Sequence, residues 1–171
     1  PRPASGTPGH AGSGTRWIVD PLDGTTNYVH GYPAYCVSIA LATARGLEVG
    51  AILDPVRGEC FTARRGGGAF LDGRPIRTAP VAALEDALVA VSFPPHVAAE
   101  SIFMRDFLAV APRAHSIRRS GSTALNLAYV ACGRLHGFWA RRIACWDAAA
   151  GLLIAAEAGA AIEPFAAAGP D

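Results

Sequence analysis

The sequence predicts an α/β fold, on three observations. Its first half carries short apolar or alternating runs, rich in β-branched residues and separated by turns of a few residues, the pattern of an antiparallel meander. Its second half alternates strand-like runs with helical ones that carry their own stop and start signals: Ser122 as an N-cap, Gly133 and Gly159 as terminators. A chain of 171 residues, 51% hydrophobic and 17% charged, has enough apolar surface for one core without disulfide support.

Taken in order, residues 1–15 are rich in Pro, Gly, Ser and Thr without periodicity and read as a disordered leader. The run WIVD is a short buried strand expected to end at Asp20, because Pro21 holds the residue before it extended. Three strands follow over 35–43, 48–54 and 59–63. The RRGGG after them lacks the Lys and Ser or Thr of a phosphate-cradling loop, so it reads as a tight hairpin turn into a further strand, AFLDG, of the same sheet. A strand over 87–93 leads to an amphipathic helix over 98–111, then the strand HSIRR, the helix STALNLAYVACG, the strand LHGFWA and the helix WDAAAGLLIAAEAG. The expected organisation is one domain over 16–171, with the first motif and the meander over 16–95 and a second α/β part over 96–171.

Composition removes several function classes. Net charge is +1 with scattered basic residues, so no nucleic-acid footprint is expected. All 15 basic residues are arginine, which excludes a Walker lysine and Schiff-base chemistry. No apolar run reaches the roughly 20 residues of a bilayer span, so no membrane association is expected, and the reading is a cytoplasmic protein. Cys36, Cys60, Cys132 and Cys145 form no CxxC and read as buried small hydrophobes. The five histidines show no ligand spacing; His30, near the first motif, reads as a surface residue.

The chemistry concentrates in WIVDPLDGTTNY. One aspartate before a glycine would be an ordinary turn residue, but Asp20 and Asp23 lie where an apolar strand breaks, and unpaired like charges that close would force a proton back on. A divalent cation removes that conflict. Oxygen ligands without histidine or cysteine favour Mg²⁺, which is held by one or two carboxylates together with substrate phosphate oxygens. The backbone amides of Gly24 and Thr25, at an expected helix start, suit a phosphate. Phosphatases that form a phosphoaspartate use DxDGT; the spacing DPLDGT instead favours metal held by both aspartates and attack by activated water. Asp147, in the first turn of the last helix, is either a cap or a third ligand, and beside the first motif the ligand reading is preferred.

WIVDPLDGTTNY and WDAAAGLLIAAEAGA together resemble the two signature motifs of the inositol monophosphatase family, over residues 17–164. The resemblance implies a layered α/β/α/β/α sandwich, shared with fructose bisphosphatases and here incomplete. It also implies a Mg²⁺-dependent, lithium-sensitive phosphomonoesterase for a small phosphorylated substrate, homodimeric at full length. Carried over, Asp20 resembles the carboxylate bridging two metals, the Leu22 carbonyl a backbone ligand, and Asp23 and Asp147 ligands of the second metal. Thr25 resembles the hydroxyl that orients the attacking water, so the catalytic set is Asp20, Asp23, Thr25 and Asp147. Gly24, Thr25, Gly121, Ser122 and Asp147 make up the substrate-binding set. The chain departs from the family pattern in two ways. Nothing acidic precedes Asp20, so an upstream glutamate ligand is absent, and the chain resembles a phosphatase shortened at both ends. Ala140 stands where many members place a glutamate for an inositol hydroxyl. Arg141 and Arg142 are either solvated loop cations or contacts to a more highly charged substrate. Inositol 1-phosphate is the family default; histidinol phosphate, a sugar bisphosphate, a phosphonucleotide, or a fragment that only binds metal or a partner are the alternatives.

Overall fold

The first sheet has six strands in sequence order: β1 (Arg16–Asp23), β2 (Cys36–Thr43), β3 (Gly46–Asp54), β4 (Glu59–Arg64), β5 (Gly68–Leu71) and β6 (Arg74–Ile76). All its pairings are antiparallel, which is the expected meander with one further short strand. A five-residue helix, α1 (Thr25–Val29), interrupts the connection from β1 to β2. The structure is a computed structural model that describes residues 14–165; most of the leader read over 1–15 lies outside the described residues.

The second sheet holds three parallel strands in the order β8, β7, β9, from β7 (Leu88–Ser92), β8 (Ser116–Arg118) and β9 (Gly137–Ala140). α2 (Ile102–Val110) connects β7 to β8, and α3 (Thr123–Ala131) connects β8 to β9. The two crossovers run in opposite directions across the sheet, so right-handed connections put their helices on opposite faces. Side-chain alternation agrees. Leu88, Ala90 and Phe138 join the cluster with Val130 of α3, whereas Val89 and Trp139 line a cavity with Ala109 and Val110 of α2. The expected helix over 98–111 is shorter at its start because Ser101 caps it, accepting from the Met104 amide.

α4 (Cys145–Glu157) lies with α3 between the two sheets. The core is there: Ile52 and Phe61 from the first sheet meet Leu125 and Ala128 of α3 and Leu153 and Ile154 of α4, each at most 6% exposed. Glycine permits the close approach. A Cβ on Gly50 would stand 2.9 Å from the Ala150 carbonyl, and one on Gly151 would stand 2.6 Å from Leu127 Cβ. The resulting layers are sheet, helix pair, sheet and α2, four of the five that the resemblance implies.

The fifth layer would cover the other face of the first sheet. Strand β2 alternates strictly, with Cys36, Ser38, Ala40 and Ala42 turned to α4 and Val37, Ile39 and Leu41 turned away. In register with the latter three stand Leu53, Val19, Trp17 and Val49, of which Trp17 is 65% and Leu53 43% exposed. Among the described residues no helix lies over this face. A contiguous apolar patch of this kind attracts apolar ligands. The folded chain is therefore expected to bind a hydrophobic fluorescent dye, and Trp17→Ser with Leu53→Ser to lower that signal without lowering the melting temperature. The check is a dye titration beside circular dichroism.

Candidate active site

In a regular strand, residues three apart point to opposite faces, so Asp20 and Asp23 could not share a site. Here β1 does not end at Asp20 as expected but continues to Asp23, and its register against β2 shifts between the two aspartates. Asp20 stays opposite Ser38 and Asp23 falls opposite Cys36, so the bulge brings both carboxylates to one side. Pro21 is tolerated because β1 is an edge strand, where its missing N–H interrupts no ladder. The site therefore stands at the edge of an antiparallel sheet and not at the carboxyl ends of parallel strands. Leu22 lies within the register shift, and its amide donates to Asp20 Oδ1 at 3.0 Å, closing a local turn.

Asp23 is 7% exposed and is held by the start of α3. Its Oδ2 accepts from the Ser122 hydroxyl at 2.7 Å and from the Ala124 amide at 2.7 Å, with the Cys36 thiol 3.8 Å away. Ser122 is the N-cap predicted from the sequence, accepting from the Leu125 amide at 3.2 Å. Buried as it is, Ser122 bears on the site through Asp23. Asp147 is the third residue of α4, whose N-cap, Ala144, has no side-chain group to cap with; the Asp147 carboxylate also accepts from the Ala144 backbone, so it serves the helix start as well as facing the two other acids. The Ser38 hydroxyl, on the strand position facing Asp20, donates to the Trp146 carbonyl at 3.5 Å and ties the first turn of α4 to β2.

The result is convergence. Asp20, Asp23 and Asp147 each present a carboxylate oxygen within 4.8 Å of the others, the only such metal-ligating cluster among the described residues. The three acids are uncomfortable without a counter-charge. Burial, a hydrogen bond shared with Asp20 and the charges of Asp23 and Asp20 push Asp147 up to about 6. Burial also raises Asp23, against the lowering effect of the Ser122 and Ala124 bonds. An all-oxygen donor set that is half-buried and mutually repelling fits a hard divalent cation.

A pH dependence follows from the sign of these shifts. Between about 4 and about 6 the folded, metal-free state keeps a proton on Asp147 that the unfolded chain has released. Its contribution to stability is therefore present at the low end of that window and lost as pH rises through it. With Mg²⁺ the trend is expected to reverse, because the cation binds the deprotonated acids of the native state alone. Melting temperatures across this range, in chelator and in Mg²⁺, check it.

The other predicted residues are chain neighbours of Asp23 and of Ser122. Gly24 caps α1 in the left-handed region at φ 87°, and a Cβ there would stand 2.7 Å from the Ala34 carbonyl oxygen. Thr25 opens α1 and is exposed. Gly121, also left-handed at φ 84°, packs against the Asn27 amide group, which a Cβ would approach to 2.8 Å. Asn27 is a residue the sequence reading missed. Its Nδ2 donates to the Ala34 carbonyl at 2.6 Å and to the Ser120 carbonyl at 2.8 Å, pinning α1 to the loop that enters α3. The available signal was its place inside the DGTTN run. Arg141 is not a free loop cation: it makes a two-pronged ion pair with Asp106. The cysteine expectation needs a correction. All four are free, but only Cys36 is buried, and Cys145 is exposed because it opens α4 on its outer side.

The match to known proteins decides the family. The family model described as the inositol monophosphatase family matches residues 4–169. The chain belongs to the inositol monophosphatase family. It is 48% identical over 147 residues to the inositol-1-monophosphatase of Rhizobium meliloti strain 1021, covering 84% of this chain and 54% of that protein. It is 43% identical over 152 residues to the Nus factor SuhB of Pseudomonas aeruginosa, covering 87% of this chain and 56% of the relative. The solved inositol monophosphatase of Anabaena (Nostoc) sp. PCC 7120 superposes with a TM-score of 0.81 at 41% identity, over 88% of this chain and 60% of the other. These alignments confirm the α/β sandwich of the family. The chain thus spans about half the length of the curated relatives it matches.

Proposed function

We propose that this chain carries the catalytic half-site of a Mg²⁺-dependent phosphomonoesterase acting on a small sugar or cyclitol phosphate, with inositol 1-phosphate as the first substrate to test. The observation that carries the reading is the meeting of Asp20, Asp23 and Asp147 beside the start of α3, in a member of a family whose relatives are named for phosphatase activity. Asp20, Asp23, Asp147 and the Leu22 carbonyl would hold the cation. When bound, Mg²⁺ supplies charge to offset a phosphate dianion and lowers the pKa of a coordinated water.

The chain's own groups do the rest. The amides of Gly24 and Thr25 take phosphate oxygens, and the exposed Thr25 hydroxyl orients a water for attack in line with the departing alkoxide. Ser122 and the Ala124 amide occupy one oxygen of Asp23, which leaves its other oxygen to the cation. The exposed Gly121 loop, braced by Asn27, would offer its backbone to substrate hydroxyls. Ala140, at the end of β9, brings no carboxylate to a substrate hydroxyl, which widens the substrate class beyond inositol to other small phosphate monoesters.

The name Nus factor belongs to the relative that bears it. Here a net charge of +1 supports a small-molecule substrate over a nucleic-acid partner, and no described helix is long and apolar enough to cross a membrane. A second reading is a chain that binds Mg²⁺ but turns nothing over, since it spans about half the length of the curated relatives it matches. Phosphate release from a panel of monoesters, with Mg²⁺ and with chelator, separates the two. Metal-dependent turnover supports the phosphatase, whereas a folded sample without turnover supports the second reading.

A further inference from the structure

On the other side of the loop that enters α3 lies a cavity of about 480 Å³ that the phosphatase reading does not use. Its volume is in the range of small-molecule sites, roughly 300 to 1,000 Å³. Four arginines line it, Arg57, Arg118, Arg119 and Arg134, against a single carboxylate, Glu59. Two of the four are balanced. Arg134 makes both of its 2.6 Å bonds to the two oxygens of Glu59, and Arg57 is bound at 2.9 Å to Asp54, which is fully buried behind it.

Arg118 and Arg119 are different. Arg118 donates to the Ser116 hydroxyl and the Ile117 carbonyl, and Arg119 donates to the carbonyls of Phe93 and Pro94 while stacking 4.4 Å over the Phe93 ring. Neither has a carboxylate partner among the described residues, so each is fixed by neutral acceptors with its charge unbalanced and further N–H donors available. The cavity also has a polar group without a partner. Asn126, 1% exposed, accepts the Ser120 hydroxyl at 2.8 Å on Oδ1, while its Nδ2 has no hydrogen-bond partner. A buried, unpaired amide donor is costly and calls for an acceptor.

We infer that this cavity is a second anion site, taking the phosphate group of a small molecule through Arg118 and Arg119, separate from the carboxylate cluster. Planar guanidinium groups held in place suit the dianion's paired oxygens. The site borders the catalytic loop: Ser120, on its wall, accepts the Asn27 bond at 2.8 Å and stands two residues before Ser122.

The test uses inorganic phosphate and the whole chain in chelator, where the uncompensated aspartates repel the anion from the carboxylate cluster. Saturable shifts of the Asn126 side-chain amide and the Arg118 and Arg119 guanidinium resonances are expected on phosphate titration. Arg118→Gln with Arg119→Gln is expected to weaken binding at least about tenfold, and Asp147→Asn to leave it unchanged. Both arginines are exposed, so a retained melting temperature is the expected control. No saturable shift at Asn126, undiminished binding in the double variant, or equal loss in Asp147→Asn would each overturn the assignment. Turnover with Mg²⁺ is a separate readout, so a failure here leaves the phosphatase proposal standing and the reverse also holds.

Discussion

Asp147→Asn is expected to lower Mg²⁺-dependent phosphate release at least about 1,000-fold, equivalent to about 4 kcal/mol of transition-state stabilisation, while the metal-free fold is no less stable than the parent. The two halves of that result have one origin. Asp147 presents its oxygen within 4.8 Å of those of Asp20 and Asp23, and its carboxyl is pushed up to about 6 by burial and by those neighbours. An amide of the same shape removes the repulsion and the charge together. Stability in chelator therefore holds or rises near neutral pH, while the cation loses an anionic ligand. Steady-state rates with Mg²⁺ and urea melts in chelator measure both. Retained turnover would remove Asp147 from the catalytic set, and a collapse of the metal-free fold would make it chiefly a structural cap.

Gly24→Ala is expected to cost about 2 to 4 kcal/mol of stability and to weaken Mg²⁺ binding in the fraction that stays folded. The cost has two parts. An L-residue at φ 87° pays the left-handed penalty, and the new Cβ would stand 2.7 Å from the Ala34 carbonyl oxygen and 3.1 Å from Tyr35 Cα. Both obstacles are backbone, so no side-chain rotation relieves them. Relief requires the turn between Asp23 and Thr25 to move, which shifts Asp23 away from Ser122 and Ala124. For a chain of this size the melting temperature should fall by roughly 5 to 15 °C. An unchanged melt would show that the turn has slack.

Apart from the short β6, the strands and the longer helices were legible in the sequence because their signals are local. Alternation marks the meander strands, and Ser122 and Gly133 bracket α3, where cap and terminator are both found. Asp20, Asp23 and Asp147 were legible as candidate ligands from residue type and family motif. Their convergence was not, since it depends on long-range geometry: a register shift that overrides the strand's period, and a Ser38 bond that carries the start of α4 to β2. Asn27 was illegible for the same reason, because its two acceptors lie seven and ninety-three residues away. Arg141 read as a loop cation or a substrate contact because Asp106, its partner, comes from α2, far away in the chain. Even β1 was misjudged by three residues, since a proline ends a central strand but not an edge strand with a bulge.

Manganese offers the most direct test, because it takes the same oxygen ligands as magnesium and scatters X-rays anomalously. Crystals of this chain soaked in Mn²⁺ are predicted to show an anomalous peak within bonding distance of carboxylate oxygens from Asp20, Asp23 and Asp147 together. A fully soaked crystal with ordered side chains and no peak among these three residues, or a peak held by other groups, would contradict the assignment of this carboxylate cluster as the metal centre.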